Sequence, residues 1–475
     1  MKSKSTITPK KQSKQSKQKW KPHRYQLNAV KRGISQGALA LFLDPGLGKT
    51  SIFLAIVKLL KKEKLIRKVL VIAPLRVCYL VWPKEIEKWE AFHGLTVQML
   101  HGKDKEKNLS KEADIYLINP EGLTWLVKHN LKKLGFDMLG IDESSKFKAS
   151  NTQRFKLLKT ILPIFRRRII MTGSPTPNSM MDLFSQIFIL DGGAALGRFI
   201  THYRNQFFYQ TGYQGYDWAL IPGMEKVIQD KIKPLVLRLE AKDHLELPEL
   251  IENNIYVTLD KATRSAYEEM EEELFIGIDE GEIEAVNAAA ASIKCRQIAN
   301  GGVYDENSVG HHLHMEKAEA VKELVEELNG VPAFVAYDFN HDLQRLLKVL
   351  GKNTPNISTA SPKQLARIEA EWNAGKIPVL LGHPASVGHG LNLQGSGNHV
   401  IWHSLTWNFE NYDQFNKRVW RQGNKNSHVY VHHIIAENTV DIAVLTALKS
   451  KDTSQRALLA GLKDYRKNSK KSSFN

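Results

Sequence analysis

The hydrophobic pattern changes its period several times along the chain. Five short runs in the first half are apolar nearly throughout: "ALALFL" (38–43), "KVLVIAP" (68–74), "IYLINP" (115–120), "DMLGIDE" (137–143) and "RRIIMTGSP" (167–175). Runs of this kind predict strands buried on both faces. Helical stretches separate them, and "SIFLAIVKLLKKEK" (51–64) is apolar almost all round for two turns, as a buried helix is. Strand alternating with helix predicts right-handed crossovers and a parallel sheet. Between about 190 and 312 the pattern lapses into aromatic-rich loops ("THYRNQFFYQTGYQGYDW") and an acidic helical stretch with nine acids in 268–284, then a helix "AVNAAAASIKCRQIAN". The alternation returns with "AFVAYD", "VLLGHPAS", "HVIWHS" and "HVYVHHII". The expected class is α/β, with two parallel-sheet domains and a mostly helical connection. The expected domains are a basic tail (1–19), a first lobe (20–239), a second lobe (240–448) with a helical insertion at about 261–312, and a basic C-terminal tail (449–475).

Composition adds a compartment and a partner class. The chain has 475 residues, of which 42% are hydrophobic, enough for two or three packed domains. No apolar run approaches the roughly 18–20 residues of a transmembrane helix. The start lacks the apolar core of a secretory signal. Cys78 and Cys295 have no CxxC spacing, which argues against a disulfide framework or zinc site and fits a reducing, cytosolic compartment. The formal net charge is +17, and residues 1–43 alone hold eleven Lys or Arg and no acid. Residues 449–475 add a net +6, so the stretch between is formally neutral. Basic tails attract a polyanion without reading its sequence, or merely keep a chain soluble. The acidic stretch would repel DNA and reads as a solvated face.

The chemistry begins at "DPGLGKT" (44–50), between a predicted strand and a predicted helix. Gly46 and Gly48 would let backbone N–H groups turn around a phosphate, assisted by the helix N-terminus. Lys49 would reach the β- and γ-phosphates of ATP, and Thr50 would hold Mg²⁺. The full phosphate-loop pattern wants glycine where Leu43 stands. Strand "MLGIDESS" ends in Asp142 and Glu143, at the end of a parallel sheet where ligands bind. Asp142 suits the Mg²⁺-linked acid and Glu143 the proton acceptor for the attacking water. Almost 300 residues later, "DQFNKRVWRQGNK" places Arg418 and Arg421 one helical turn apart. Two guanidiniums on one face suit a γ-phosphate reached from another domain, a device whose effect on rate is about 10³–10⁵. His311, His312 and His314 lack a supporting Cys or acid motif and read as loop residues.

Taken in order, these elements resemble the SWI/SNF-type branch of superfamily-2 helicases, relatives of the DEAD/DEAH-box proteins. The resemblance runs over about 20–448: "HRYQ", "DPGLGKT", "APLRVCYLVWPKEIEKW", "DESSKFK", "MTGSPTPN", "RLEAKDHLELPE", "KCRQIAN", "AYDFNHDLQRLL", "ASVGHGLNLQ" and "TWNFENYDQFNKRVWRQGN". It implies two RecA-like P-loop lobes that close around ATP and Mg²⁺. Gln26 would read adenine, and Gly46, Gly48, Lys49, Thr50, Asp142 and Gly390 would hold the nucleotide. Glu143, Lys49, Arg418 and Arg421 would be catalytic. Thr172, Ser174 and Ser386 with their loops would touch DNA. The implied activity is ATP hydrolysis driving a monomer along double-stranded DNA, with single-stranded DNA a further candidate partner.

One departure stands out: the fourth residue of the acidic box is Ser145 where the family has histidine, which bears on how hydrolysis is coupled to the rest of the motor. The length leaves no room for chromatin-reading modules and points to a phage or bacterial form. Three rivals remain open: a strand-separating DNA or RNA helicase, a nucleotide-gated DNA-binding module, and a P-loop kinase or transport ATPase.

Overall fold

The computed structural model describes residues 18–177, 179–211, 217–279, 292–387, 391–450, 461–462 and 464–465. In chain order the first strands are β1 (Ala38–Leu43), β2 (Lys68–Ile72), β3 (Val97–Met99), β4 (Ile115–Ile118), β5 (Phe136–Asp142) and β6 (Arg167–Thr172). A hairpin of β7 (Phe208–Thr211) and β8 (Asp217–Leu220) follows, then β9 (Val236–Leu239). Apart from that hairpin these strands form one seven-stranded sheet, in the order β3-β4-β2-β5-β6-β1-β9, and every pairing in it is parallel. Alternate residues of the central strands enter opposite cores. Leu39, Leu41, Val69 and Val71 pack on one face, and Ala40, Phe42, Leu70 and Ile72 on the other. That double burial is why the strands read as continuous apolar runs.

The second sheet contains β10 (Glu249–Val257), and its remaining strands follow a small hairpin of β11 (Gly302–Tyr304) and β12 (Gly310–His312). They are β13 (Ala333–Ala336), β14 (Val379–Gly382), β15 (His399–Trp402) and β16 (His428–Ala436). The order is β10-β16-β15-β13-β14, again parallel throughout. Phe334 of β13 stacks on Phe415 of helix Phe409–Asn416, with ring centroids 4.0 Å apart and planes within 5°. This contact fixes that helix, which precedes the two arginines, on the second sheet.

Three features depart from the sequence reading. Strands β3, β9 and β10 lie in segments whose pattern gave no strand, and all three are sheet edges. The region after helices Lys261–Asp279 and Ile293–Ala299 is the β11–β12 hairpin, so His311 and His312 belong to a strand and not to a loop. Part of the C-terminal segment is packed: Leu462 and Tyr465 are buried with Tyr267, Leu274 and Cys295. Among the described residues no helix is long and apolar enough to cross a membrane.

Because Leu462 is fully buried, Leu462→Ala is expected to destabilise the second lobe by about 2–5 kcal/mol. Urea unfolding measures this; an unchanged midpoint would return the segment to the status of a free tail.

Candidate functional site

The first-lobe residues converge because parallel strands all end on the same side of the sheet. Phe42 of β1 is level with Thr172 of β6, and Met171 of β6 with Asp142 of β5. The loop after β1, the acids after β5 and the loop after β6 therefore share one rim. Gly46 and Gly48 have φ values of 96° and 77°, the left-handed region that lets the loop curl back on itself. Helix Lys49–Lys62 starts directly from Gly48. Leu43, where the motif wants glycine, is fully buried as the last residue of β1. Its side chain belongs to the core and its carbonyl to the site.

That carbonyl accepts a hydrogen bond from Lys49 Nζ at 2.8 Å, and Asp44 O lies 3.5 Å from the same nitrogen. Desolvation pushes the Lys49 pKa down, opposed by the charges of Glu143 and Asp142. Asp142 is buried, and Trp82 Nε1 donates to its Oδ2 at 3.2 Å. Glu143 has φ 58° and ψ 57°, a left-handed backbone uncommon outside glycine. The two serines after it are buried. Ser144 donates to Gln186 Oε1 at 2.8 Å, and Gln186 Nε2 donates to Pro175 O at 2.6 Å in the loop after β6. Ser145 donates to Glu410 Oε1 at 3.3 Å, across to the second lobe.

The second lobe brings its arginines to this rim. A Cβ on Gly46 would lie 3.5 Å from Arg421 Nε and 3.6 Å from Leu245 Cδ1, so Arg421 lies against the glycine loop. Arg421 Nη1 donates to Asn392 Oδ1 at 2.6 Å. Arg418 is buried and donates from Nε to Gln414 O at 3.1 Å and from Nη1 to Leu391 O at 3.2 Å. Burial, with the neighbouring charge of Arg421, lowers its pKa to about 10, while Glu143 pulls the other way. Lys417 Nζ bridges Asp413 (2.8 Å) and, in the first lobe, Asp44 (3.5 Å).

Gln26 lies over the glycine loop. Its Nε2 donates to Leu47 O at 3.1 Å, while its Oε1 accepts from His23 N at 2.9 Å. Tyr25 beside it stacks on His244, with centroids 4.9 Å apart. Thr172 is fully buried, and its hydroxyl accepts the N–H of Ser174 at 3.1 Å. It shapes its loop from within, whereas Ser174 is partly exposed. Ser386 meets the first lobe through its carbonyl, which accepts from Arg76 Nη1 at 2.5 Å. Gly390 lies outside the described residues. His311 pairs with Asp305 at 2.9 Å and His314 with Glu316 at 2.5 Å. Sequence reasoning missed Asp44, Leu245, Asn392 and Glu410 as neighbours of the site. All four lie inside quoted motif segments, where nothing singled them out.

A family model for the SNF2-related domain matches residues 19–312. The chain belongs to the SNF2-related family. Protein p41 of Acyrthosiphon pisum secondary endosymbiont phage 1 is 35% identical over 437 residues, covering 88% of this chain and 93% of that protein. An uncharacterized ATP-dependent helicase of Mycoplasma pneumoniae is 26% identical over 435 residues. The human DNA annealing helicase and endonuclease ZRANB3 is 23% identical over 439 residues. These two matches cover 88% and 89% of this chain but only 40% and 39% of the relatives' own lengths. This SNF2-related chain is thus an ATP-hydrolysing enzyme of the ATP-dependent helicase class, and its two parallel sheets are the RecA-like lobes of that class.

A Cβ on Gly48 would lie 2.5 Å from Gln26 Nε2 and sit on a backbone with φ 77°. Gly48→Ala is therefore expected to distort the loop at a cost of about 1–3 kcal/mol. It should raise the KM for ATP by about five- to 150-fold, since 1.4 kcal/mol is a factor of ten. An unchanged KM in steady-state hydrolysis would show that the loop has room for a side chain.

Proposed function

We propose that this SNF2-related chain hydrolyses ATP to move along double-stranded DNA, without obligatory strand separation. The observation that carries this reading is the contact of Arg421, from the second lobe, with the Gly46 turn of the first. A nucleotide site built from both lobes makes their separation depend on what the site holds.

In this reading the phosphates replace the carbonyls of Leu43 and Asp44 as acceptors for Lys49. Thr50 and Asp142 supply hydroxyl and carboxylate oxygens, the hard ligands that suit Mg²⁺. Bound there, Mg²⁺ would draw charge from the β- and γ-phosphates. Glu143 orients the attacking water and takes its proton. Arg418 and Arg421 offset charge on the transferred phosphoryl group. Gln26 has an amide beside the loop to offer an adenine edge, once it exchanges its bonds to His23 and Leu47. Ser174, Ser386 and their loops meet the DNA backbone, with Thr172 holding the Ser174 loop in shape. The basic ends of the chain add sequence-independent attraction. The name of the human relative, a DNA annealing helicase, supports DNA as the polymer.

The direct test is steady-state ATP hydrolysis alone and with double-stranded DNA, single-stranded DNA or RNA. Stimulation by duplex DNA above all others is expected, weakening steeply as salt rises. Preference for single strands or RNA would favour a strand-separating helicase. A second test addresses the arginine. Arg421→Ala should lower kcat by about 10³-fold or more, with ATP affinity changed only severalfold. A loss of affinity with kcat preserved would make Arg421 a binding residue instead.

A further inference from the structure

Ser145 stands where the family's acidic box has histidine, and a serine side chain is too short to span to the second lobe unaided. The second lobe reaches toward it. Helix Phe409–Asn416 presents Glu410 and, one turn on, Gln414 on the same face. Glu410 Oε1 accepts from Ser145 Oγ at 3.3 Å and from Gln414 Nε2 at 3.0 Å. Ser145 and Gln414 are both buried while Glu410 between them is partly exposed, so the bridge sits at the edge of the interface. The chain of contacts continues from Gln414 O to Arg418 Nε at 3.1 Å. On the other side, Ser145 is two residues from Glu143, whose left-handed backbone must be held by its neighbours. Ser144 anchors the same turn within the first lobe, through Gln186. The two serines divide the work: one ties the acid turn to the loop after β6, the other to the second lobe.

We infer that Glu410 is a positioning residue for ATP hydrolysis, bridging Ser145 to Gln414 so that the Glu143 turn and Arg418 are set together when the lobes meet. The bridge replaces a direct contact from a longer side chain at position 145. A carboxylate suits this place because one oxygen accepts both the hydroxyl and the amide, and hydrogen bonds to a charged acceptor are the stronger kind. This inference rests on Glu143 being the proton acceptor proposed above.

The test uses the full chain with saturating double-stranded DNA. Glu410→Ala should lower kcat about ten- to hundredfold, the rate equivalent of one charge-assisted hydrogen bond. The KM for ATP should stay within about twofold, as expected when an interaction made only in the transition state is lost. Ser145→Ala should act in the same sense. The double variant should be no slower than Glu410→Ala alone, because both remove one bridge. Glu410→Gln, which keeps an acceptor oxygen, should recover most of the rate. Ser145→His on the Glu410→Ala background should recover part of it by spanning the gap directly. Additive losses in the double variant, a wild-type kcat for Glu410→Ala, or a raised KM at unchanged kcat would overturn the inference. If Glu410→Ala fails to fold in a thermal melt, the comparison of Ser145→Ala with Glu410→Gln carries the same test. Glu143→Gln run in parallel separates the two proposals. Wild-type turnover there removes the proton-acceptor assignment, whereas an inactive Glu143→Gln beside an unaffected Glu410→Ala removes only the bridge.

Discussion

Positive charge gathered at the end of β1 is the constraint around which the cleft is arranged. Burial lowers the pKa values of Lys49, Arg418 and Arg421, and the charge of Arg421 lowers those of Lys49 and Arg418 further. Such a cluster persists only if acids stand near it. Asp142 and Glu143 supply them from β5, Asp44 from the loop itself, and Glu85 and Glu369 from the flanks of Arg421. A polyphosphate is the ligand that this arrangement of cations and backbone N–H groups suits, and the position of the acids follows from the same need.

The lobes meet mostly through polar groups. Arg76 donates to Ser358 O and Ser386 O, Lys84 pairs with Glu369 at 2.7 Å, and Lys417 reaches Asp44. Apolar packing joins them too: Leu80 packs against the core of the second sheet, and Ala241 and Leu245 against that of the first. Within each lobe buried apolar side chains pack on both faces of the sheet. Surface ion pairs are each worth about 0–1 kcal/mol, and their partners can turn to water when they part. An interface of that kind would let the two lobes part at little cost to the cores beneath their sheets. Glu143, with its left-handed backbone, is followed by Ser144, bonded within the first lobe, and Ser145, bonded to the second.

What the sequence could determine was decided by local physics. A strand buried on both faces must be apolar throughout, so β1, β2, β4, β5, β6, β13, β14, β15 and β16 stand out as runs. A phosphate loop needs glycines at fixed offsets from a lysine, so Gly46, Gly48 and Lys49 declare themselves. Arg418 and Arg421 were legible through their spacing and the family resemblance.

Tertiary structure decided the rest. Strands β3, β9 and β10 pair on one side only, and β10 ("ELIENNIYV") carries its partly exposed positions into the sequence as a broken pattern. The fourth edge, β14, is buried at every position and did read as a run, so partial exposure rather than edge pairing hid these three. Thr172 could not be separated from Ser174 as a surface group, because burial is a property of the packed loop. Glu410 lies inside the quoted segment "TWNFENYDQFNKRVWRQGN", but nothing local marks it as a bridging residue. A carboxylate on an amphipathic helix reads as solvated, and only the packing of one lobe on the other brings it within hydrogen-bond reach of Ser145, 265 residues away. Sequence determines what a residue can bond; the fold decides which partner arrives, because that partner comes from a distant part of the chain.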